Sequence, residues 1–179
     1  MKKIKIISGH PNIVDSIANR TILNVLEKEN NFTISNLMNI YSDYKVDSDK
    51  EIKNLLDSDV IVLQFPFHWY GVPAILKMWI DSITTSLVYG PNKGGLKGKT
   101  FLLSTTTGGP PESYQSDGYN KFTMKDFLVP LLKLVDSLEM NVLEPLVLHS
   151  AMFRDDEGEN LLKNKAEQHA FKLIELINK

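Results

Sequence analysis

Three stretches of this chain carry side chains able to do chemistry, and each follows a short apolar run of strand character. The first, "SGHPNIVDSIAN" at 8–19, offers His10, Ser16 and Asn19 as donors with Arg20 close by, at the point where a helix begins. Free backbone amides and the positive end of the helix dipole favour an anion there, and a phosphate fits. A plainer account stands beside it: Asp15 or Ser16 as an N-cap, and His10 as a turn residue. The stretch matches neither G-x-G-x-x-G nor G-x-x-x-x-G-K-[ST], so a dinucleotide fingerprint and a nucleoside-triphosphate loop are both unsupported.

The second stretch, "FPFHWYG" at 65–71, sets Phe65, Phe67, His68, Trp69 and Tyr70 around Pro66, with Pro73 just beyond. Rings of this size belong in cores, whereas loops run over surfaces. Either something covers this loop or the loop covers something. Apolar rings beside exposed backbone amides suit a flat heterocycle with polar rims, such as an isoalloxazine ring. The competing account is an aromatic cluster under a neighbouring helix or at a subunit interface. The third stretch, "TTTGGPPESY" at 105–114, combines threonines with Gly108 and Gly109, which let backbone come close to a planar, hydrogen-bonding ligand; alone, it reads rather as a flexible surface turn.

The elements that must position these loops alternate. Strands are expected at 4–8, 32–37, 59–65, 100–106 and around "MNVLEPLVLHS" (140–150), where Pro145 implies a bulge or an edge position. Helices are expected over "DSIANRTILNVLEKE", near 49–57, over "VPAILKMWIDSITT" with Pro73 in the first turn, over "FTMKDFLVPLLKLVDSLE" with a kink or split at Pro130, and over "EGENLLKNKAEQHAFKLIELINK". Residues 86–99 hold too much Gly and Lys for a regular element. Strand and helix alternating five times predict parallel strands joined by right-handed crossovers: a single domain over 1–179, folded as a flavodoxin-like three-layer sandwich with a five-stranded parallel sheet of order 2-1-3-4-5. Ligands of such sheets sit beyond the carboxyl ends of the strands where the order reverses, which would bring the three loops together.

Composition narrows the function. With no cysteine in 179 residues, disulfides, thiolate catalysis and Cys-ligated metals are excluded, and a cytoplasmic setting is expected. A net charge of -2 leaves no basic footprint for nucleic acid and is weak for a carrier that docks on basic partners. No stretch approaches the roughly 20 apolar residues of a membrane span, so no stable membrane insertion is expected.

Taken together, "QFPFHWYGVPAILKMWID", "TTGG" and the early "GHP…S…AN" resemble the flavodoxin-like NAD(P)H:quinone oxidoreductases, the DT-diaphorase group, and their shorter bacterial relatives, which include the ancillary flavoproteins of glutathione-gated potassium efflux. The resemblance covers roughly residues 3–150, with the motifs in the same order. It implies that His10 and Ser16-Ile17-Ala18-Asn19 bind the flavin phosphate. Pro66, Phe67, His68, Trp69 and Tyr70 would hold the ribityl chain and ring, and Thr106, Thr107, Gly108 and Gly109 would form the second ring-binding loop. Tyr114 falls on the family's active-site tyrosine. Where the mammalian enzymes have a histidine six residues later, this chain has Asn120, which donates hydrogen bonds but does not titrate near neutral pH. His68 stands where relatives often have glutamine, and it is expected to bond the ribityl chain rather than act as acid or base.

The family further implies FMN as cofactor, with FAD as the alternative; the larger relatives append a C-terminal region that helps hold the FAD adenosine, and a chain ending soon after its last helix is expected to favour FMN. NADH or NADPH would be the co-substrate and a quinone-like flat molecule the acceptor, in a ping-pong cycle. The site would lie at a homodimer interface, with Tyr114, Tyr119, Phe122 and residues 86–99 as candidates for its rim. Two other readings stand: a regulatory flavoprotein in peripheral contact with a potassium-efflux transporter, and a flavodoxin-type electron carrier. No metal site is expected, since His149 and His169 lack partners at ligand spacing, and His169 reads as a solvated helix position. "DDEGE" at 155–159 reads as an acidic helix start, and Met78 and Trp79 as core or dimer packing.

Overall fold

The β-branched run Ile4–Ser8 (β1) is fully buried in the computed structural model, which describes every residue except Arg154. Phe32–Asn36 (β2) and Val60–Pro66 (β3) flank it in parallel, and Thr100–Thr106 (β4) pairs with β3. β3 is buried along its whole length, as its unbroken apolar run requires of a strand covered on both faces. The expected fifth strand is two short ladders, Asn141–Val142 (β5) and Leu146–Leu148 (β6), both parallel to β4. Pro145 lies in the gap between them: without an N–H it cannot extend a ladder. The order is therefore β2-β1-β3-β4-β5, with β6 as a sixth strand on β4.

Six helices complete the layers: Ile17–Leu26 (α1), Leu37–Ile40 (α2), Ser48–Leu56 (α3), Ala74–Val88 (α4), Met124–Ser137 (α5) and Asp156–Asn178 (α6). On one face of the sheet, α1 and α6 bury Ile22, Leu26 and Leu173 against Ile6, Val62 and Leu102. On the other, α3, α4 and α5 bury Ile52, Trp79 and Leu128 against Leu63 and Phe65. Some local expectations are corrected. The single turn α2 was hidden by the polar stretch around it. Pro130 neither splits nor ends α5, which runs as one helix started by a Thr123–Asp126 capping box. Within 86–99 the helix continues to Val88, and Leu96 is buried against Leu56 and Phe101 on the α3/α4 side. The acidic start of α6 is as expected: Asp155 caps it by accepting the Gly158 N–H at 2.8 Å.

Near the carboxyl ends of the strands the face toward α1 and α6 turns polar. The register sets Asn36, Ser8, Gln64 and Ser104 in one row across four strands. His169 belongs to this layer, which corrects its reading as a solvated residue: it is 8% exposed, and its Nε2 lies 2.7 Å from Ser104 Oγ. Burial, with the Lys172 charge adding to it, pushes the imidazole down to about 4, so it is neutral at physiological pH. The exposed-looking period of α6 concealed this, because a histidine facing a serine on the sheet carries the same letter as one facing water.

The opposite face holds a second buried polar group. Glu51 is 1% exposed and accepts from the Tyr41 hydroxyl at 2.9 Å and from Trp79 Nε1 at 2.8 Å, fastening α3 to α2 and α4. Desolvation lowers the neighbouring Lys5 amine, an effect its attraction to Glu51 opposes. Replacing Glu51 by Ala leaves two buried donors without an acceptor, at about 1–3 kcal/mol each. Glu51→Ala is therefore expected to lower the unfolding free energy by about 3 kcal/mol, and Glu51→Gln by clearly less. Urea denaturation measures both, and equal midpoints for Glu51→Ala and the parent would remove this role.

Candidate functional site

The first loop is held against α4 and β3. Gly9 donates to the Gln64 carbonyl at 2.9 Å, and a Cβ on Gly9 would meet Leu76 Cβ at 2.7 Å, so only glycine allows this approach. A single 3-10 turn, Ile13–Asp15, then leads to Ser16, the N-cap of α1, whose hydroxyl accepts the Asn19 N–H at 3.1 Å. Asn19 is 2% exposed and is the centre of a junction. Its Nδ2 donates to Thr106 Oγ1 at 3.0 Å and to Ser16 Oγ at 3.2 Å, and its Oδ1 accepts from Gln64 Nε2 at 2.9 Å. One amide thus joins the ends of β3 and β4 to the start of α1. Arg20 turns its guanidinium back to the Val14 carbonyl.

The aromatic loop is a two-residue hairpin. His68 and Gly71 exchange backbone hydrogen bonds of 3.0 Å each way, while Trp69 and Tyr70 take φ values of 44° and 67°. Positive φ at both central residues is the type I′ geometry that favours Asn-Gly, so two aromatic residues here hold backbone strain. The turn carries Trp69 into solvent, 93% exposed, and lays Tyr70 on Phe127 of α5 with ring centroids 5.2 Å apart and planes 24° from parallel. Phe67 sits edge-on to Tyr114 at 6.2 Å. The Phe67 N–H bonds the Thr106 carbonyl at 2.8 Å, tying this loop to the third.

The third loop is knitted to the segment after β6. Thr107 N–H donates to the Leu148 carbonyl at 2.9 Å, Ser150 N–H to that of Gly109 at 3.0 Å, and Ala151 N–H to that of Thr107 at 2.8 Å. Tyr114, 9% exposed, closes the loop; a Cβ on Gly109 would come within 3.3 Å of its ring, so that glycine admits the tyrosine. His149 packs against Tyr114, centroids 5.3 Å apart, with Nδ1 2.9 Å from Thr107 Oγ1. The Thr107 hydroxyl donates to the Gly109 carbonyl, so His149 Nδ1 carries its proton and donates to Thr107. Burial lowers this imidazole below the usual histidine range.

The three loops enclose one cleft of about 890 Å³ at the carboxyl edge of the sheet. Each residue named above from the sequence as catalytic or cofactor-binding lines it, from His10 and Ser16 through Phe67 and His68 to Thr106, Tyr114 and Asn120. Asn120 is half-buried and accepts a long hydrogen bond, 3.4 Å, from the Tyr70 hydroxyl. Of the rim candidates, Tyr119 lines the cleft, whereas Phe122 and residues 86–99 do not. Ala151, Met152, Phe153 and Leu162 also line it and were missed, although the rule that placed the other loops applies equally to the strand before them. His149 was missed for another reason: its contact with Tyr114 spans 35 residues and leaves no local pattern. Among the described residues no His/Asp/Glu cluster is arranged for a metal, and no helix is long and apolar enough to cross a membrane.

The model of the flavodoxin-like fold family matches residues 2–172. The chain belongs to that family. Within it, the chain is 32% identical to an uncharacterized NAD(P)H oxidoreductase, YrkL, of Bacillus subtilis over 167 residues, covering 93% of this chain and 94% of that protein. It is 34% identical over 150 residues to KefG of Salmonella gallinarum, a glutathione-regulated potassium-efflux system ancillary protein, covering 83% and 82%. Among solved structures, general stress protein 14 of Treponema denticola in complex with FMN superimposes with a TM-score of 0.88 at 26% identity, covering 97% of this chain and 99% of that one. An NADPH-quinone reductase from P. pentosaceus gives 0.78 at 25% identity, covering 95% and 98%.

The strained turn has a measurable signature. Asn tolerates positive φ where an aromatic residue holds about 1–2 kcal/mol of strain, and Trp69 makes little contact that its loss would forfeit. Trp69→Asn is therefore expected to raise the unfolding free energy of the ligand-free chain by about 0.5–1 kcal/mol, read from thermal or urea unfolding. Destabilisation would mean the turn is held for packing rather than against it.

Proposed function

We propose that this protein is an FMN-dependent NAD(P)H oxidoreductase that passes electrons in pairs to a quinone or similar flat acceptor. The observation that carries the reading is the junction of the three loops in one cleft, in a chain that overlays a protein solved with FMN over nearly its whole length. The likeness to an NAD(P)H oxidoreductase and to an NADPH-quinone reductase supports the choice of substrates.

The residues present fit the cofactor. The amides of Ile17 and Ala18 belong to a first helical turn with no intrahelical acceptors, and both residues line the cleft, where they would hold the phosphate. Phe67, Trp69 and Tyr70 on one side, with Thr106, Thr107 and Gly108 on the other, would hold the ribityl chain and the ring. When bound, FMN supplies the two-electron chemistry, reduced by NAD(P)H and reoxidised by the acceptor. The protein's part is to present donors where negative charge grows. Tyr114 would serve through its phenol, held in place by Phe67, Gly109 and His149. Asn120 would donate without titrating. The two substrates would use the same opening in turn, a ping-pong cycle.

The rim supports a homodimer. Trp69, Tyr119 and Met152 are 93%, 85% and 74% exposed around the mouth of one cleft, an apolar collar of the kind that marks an interface. A second copy seated there would roof the site. The second reading, a regulator of a potassium-efflux transporter, is favoured by the 34% identity to KefG; potassium flux through a reconstituted transporter, unchanged when the protein is added, would exclude it.

Purified protein is expected to carry flavin absorbance, to release FMN on denaturation, and to be bleached by NADH or NADPH in stopped-flow mixing. Protein that stays colourless and takes up no FMN overturns the proposal. Tyr114→Phe is expected to bind FMN normally and to slow NAD(P)H-dependent reduction about tenfold or more, as loss of one donor to developing charge does. Sedimentation is expected to give a dimer, and Tyr119→Asp with Met152→Asp a monomer; a monomeric parent protein would remove the interface.

A further inference from the structure

The phosphate end of the cleft has an unusual charge supply. Among the described residues no lysine or arginine lines the cleft, while Asp15 does. Arg20, in the first turn of α1, is engaged with the Val14 carbonyl. Two imidazoles from different loops meet there instead, His10 after β1 and His68 in the aromatic turn, with ring centroids 6.4 Å apart and planes 69° to each other.

The two rings are not equivalent. His10 Nδ1 accepts the Asn12 N–H at 3.0 Å, so its proton sits on Nε2, and a second proton would break that bond. Burial, followed by repulsion from His68, pushes His10 down to about 4, in keeping with a ring held neutral. His68 is exposed, and its ring is engaged in no hydrogen bond among those of the described residues; only its backbone is fixed, by Gly71. Each loop thus contributes one imidazole in a different setting: His10, whose Nδ1 is occupied by the Asn12 N–H, and His68, exposed and with its ring unengaged among the described residues.

Resting on the flavin reading above, we propose that His10 and His68 form a proton-linked clamp for a phosphate monoester, in which His10 donates from Nε2 and His68, in place of the ribityl contact that the resemblance implied for it, takes up a proton as the phosphate of FMN enters. The proton comes from solvent, no bond other than His68 N–H is made, and the imidazolium offsets one charge of the dianion. The other charged or titratable groups near the pair are Asp15 beside His10, hydrogen-bonded by Asn12 Nδ2 at 2.6 Å, Arg20 on α1, Tyr70 in the turn, and Tyr114 across the cleft with His149 behind it. Among the described residues of this group, His68 is the imidazole whose ring no protein hydrogen bond engages.

The sign follows from linkage. A bound dianion favours protonated His68, so the complex binds more protons than the free partners and affinity falls as pH rises. A phosphate monoester has its second ionisation at about 6, so above about pH 6.5 its own titration contributes little. Affinities of FMN and of riboflavin, which lacks the phosphate, are to be measured by fluorescence quenching between about pH 6.5 and 8.5, the upper part of the imidazole range. The Kd of FMN is expected to rise about three- to tenfold per pH unit and that of riboflavin to stay flat, a single-proton linkage being limited to tenfold. Calorimetry in buffers of different ionisation enthalpy should show proton uptake on binding FMN and none on binding riboflavin. His68→Gln is expected to abolish both the slope and the uptake for FMN. His10→Gln is expected to weaken FMN relative to riboflavin at every pH while keeping the slope. Riboflavin affinity of each variant checks that the cleft is intact. A flat FMN profile in the parent protein, a slope that survives in His68→Gln, or an equal slope for riboflavin overturns the clamp and leaves the flavin reading standing. Failure of both flavins to bind overturns both.

Discussion

The geometry of the cleft depends on one buried amide. Asn19 sits beneath three loops and hydrogen-bonds Ser16, Gln64 and Thr106, each belonging to a different part of the fold. A buried donor or acceptor left without a partner costs free energy, as Gln64 Oε1 at the edge of this network does, and each bond made there is stronger for lacking water. That condition makes the network a positioning device: a shift of any one loop would leave a buried donor or acceptor unpaired, at about 1–3 kcal/mol. The polar row Asn36, Ser8, Gln64 and Ser104 extends the same layer across the sheet, and the Ser104–His169 pair brings α6 into it. Below this row the α1/α6 face of the sheet is apolar and serves the fold; above it lie the loops that line the cleft.

Against that rigid floor the aromatic turn is set differently. Trp69 and Tyr70 occupy backbone conformations that bulky side chains avoid, and Trp69 gains almost no burial there. Strain of this kind persists where the surroundings impose it: the His68–Gly71 hydrogen bonds, the Phe67–Thr106 hydrogen bond and the stack of Tyr70 on Phe127 all act on a very short segment. The result is a fixed wall on one side of the cleft and a protruding ring at its rim. Trp69, Tyr119 and Met152 form an exposed apolar collar around the same opening.

The likeness to KefG and to an NAD(P)H oxidoreductase joins two kinds of biology on one scaffold. The cleft described here bears on the chemistry, since its lining comes from the loops that follow the central strands.

Much of this was legible in the sequence for local reasons. Alternating strand and helix patterns give the layer order, an unbroken apolar run marks β3 as central, and topology then brings "GHP", "FPFHWYG" and "TTGG" to one edge. Side-chain type and neighbouring residues are enough for that, because strand burial and helix amphipathicity repeat over a few positions. What only the tertiary structure decided are the contacts between residues far apart in the chain. It put His169 in a buried polar layer, set His149 against Tyr114, divided the last strand at Pro145, and paired His10 with His68. A histidine has the same letter whether it faces water, a serine or another imidazole. Its chemistry follows from the neighbour, and the neighbour is chosen by packing over the whole fold.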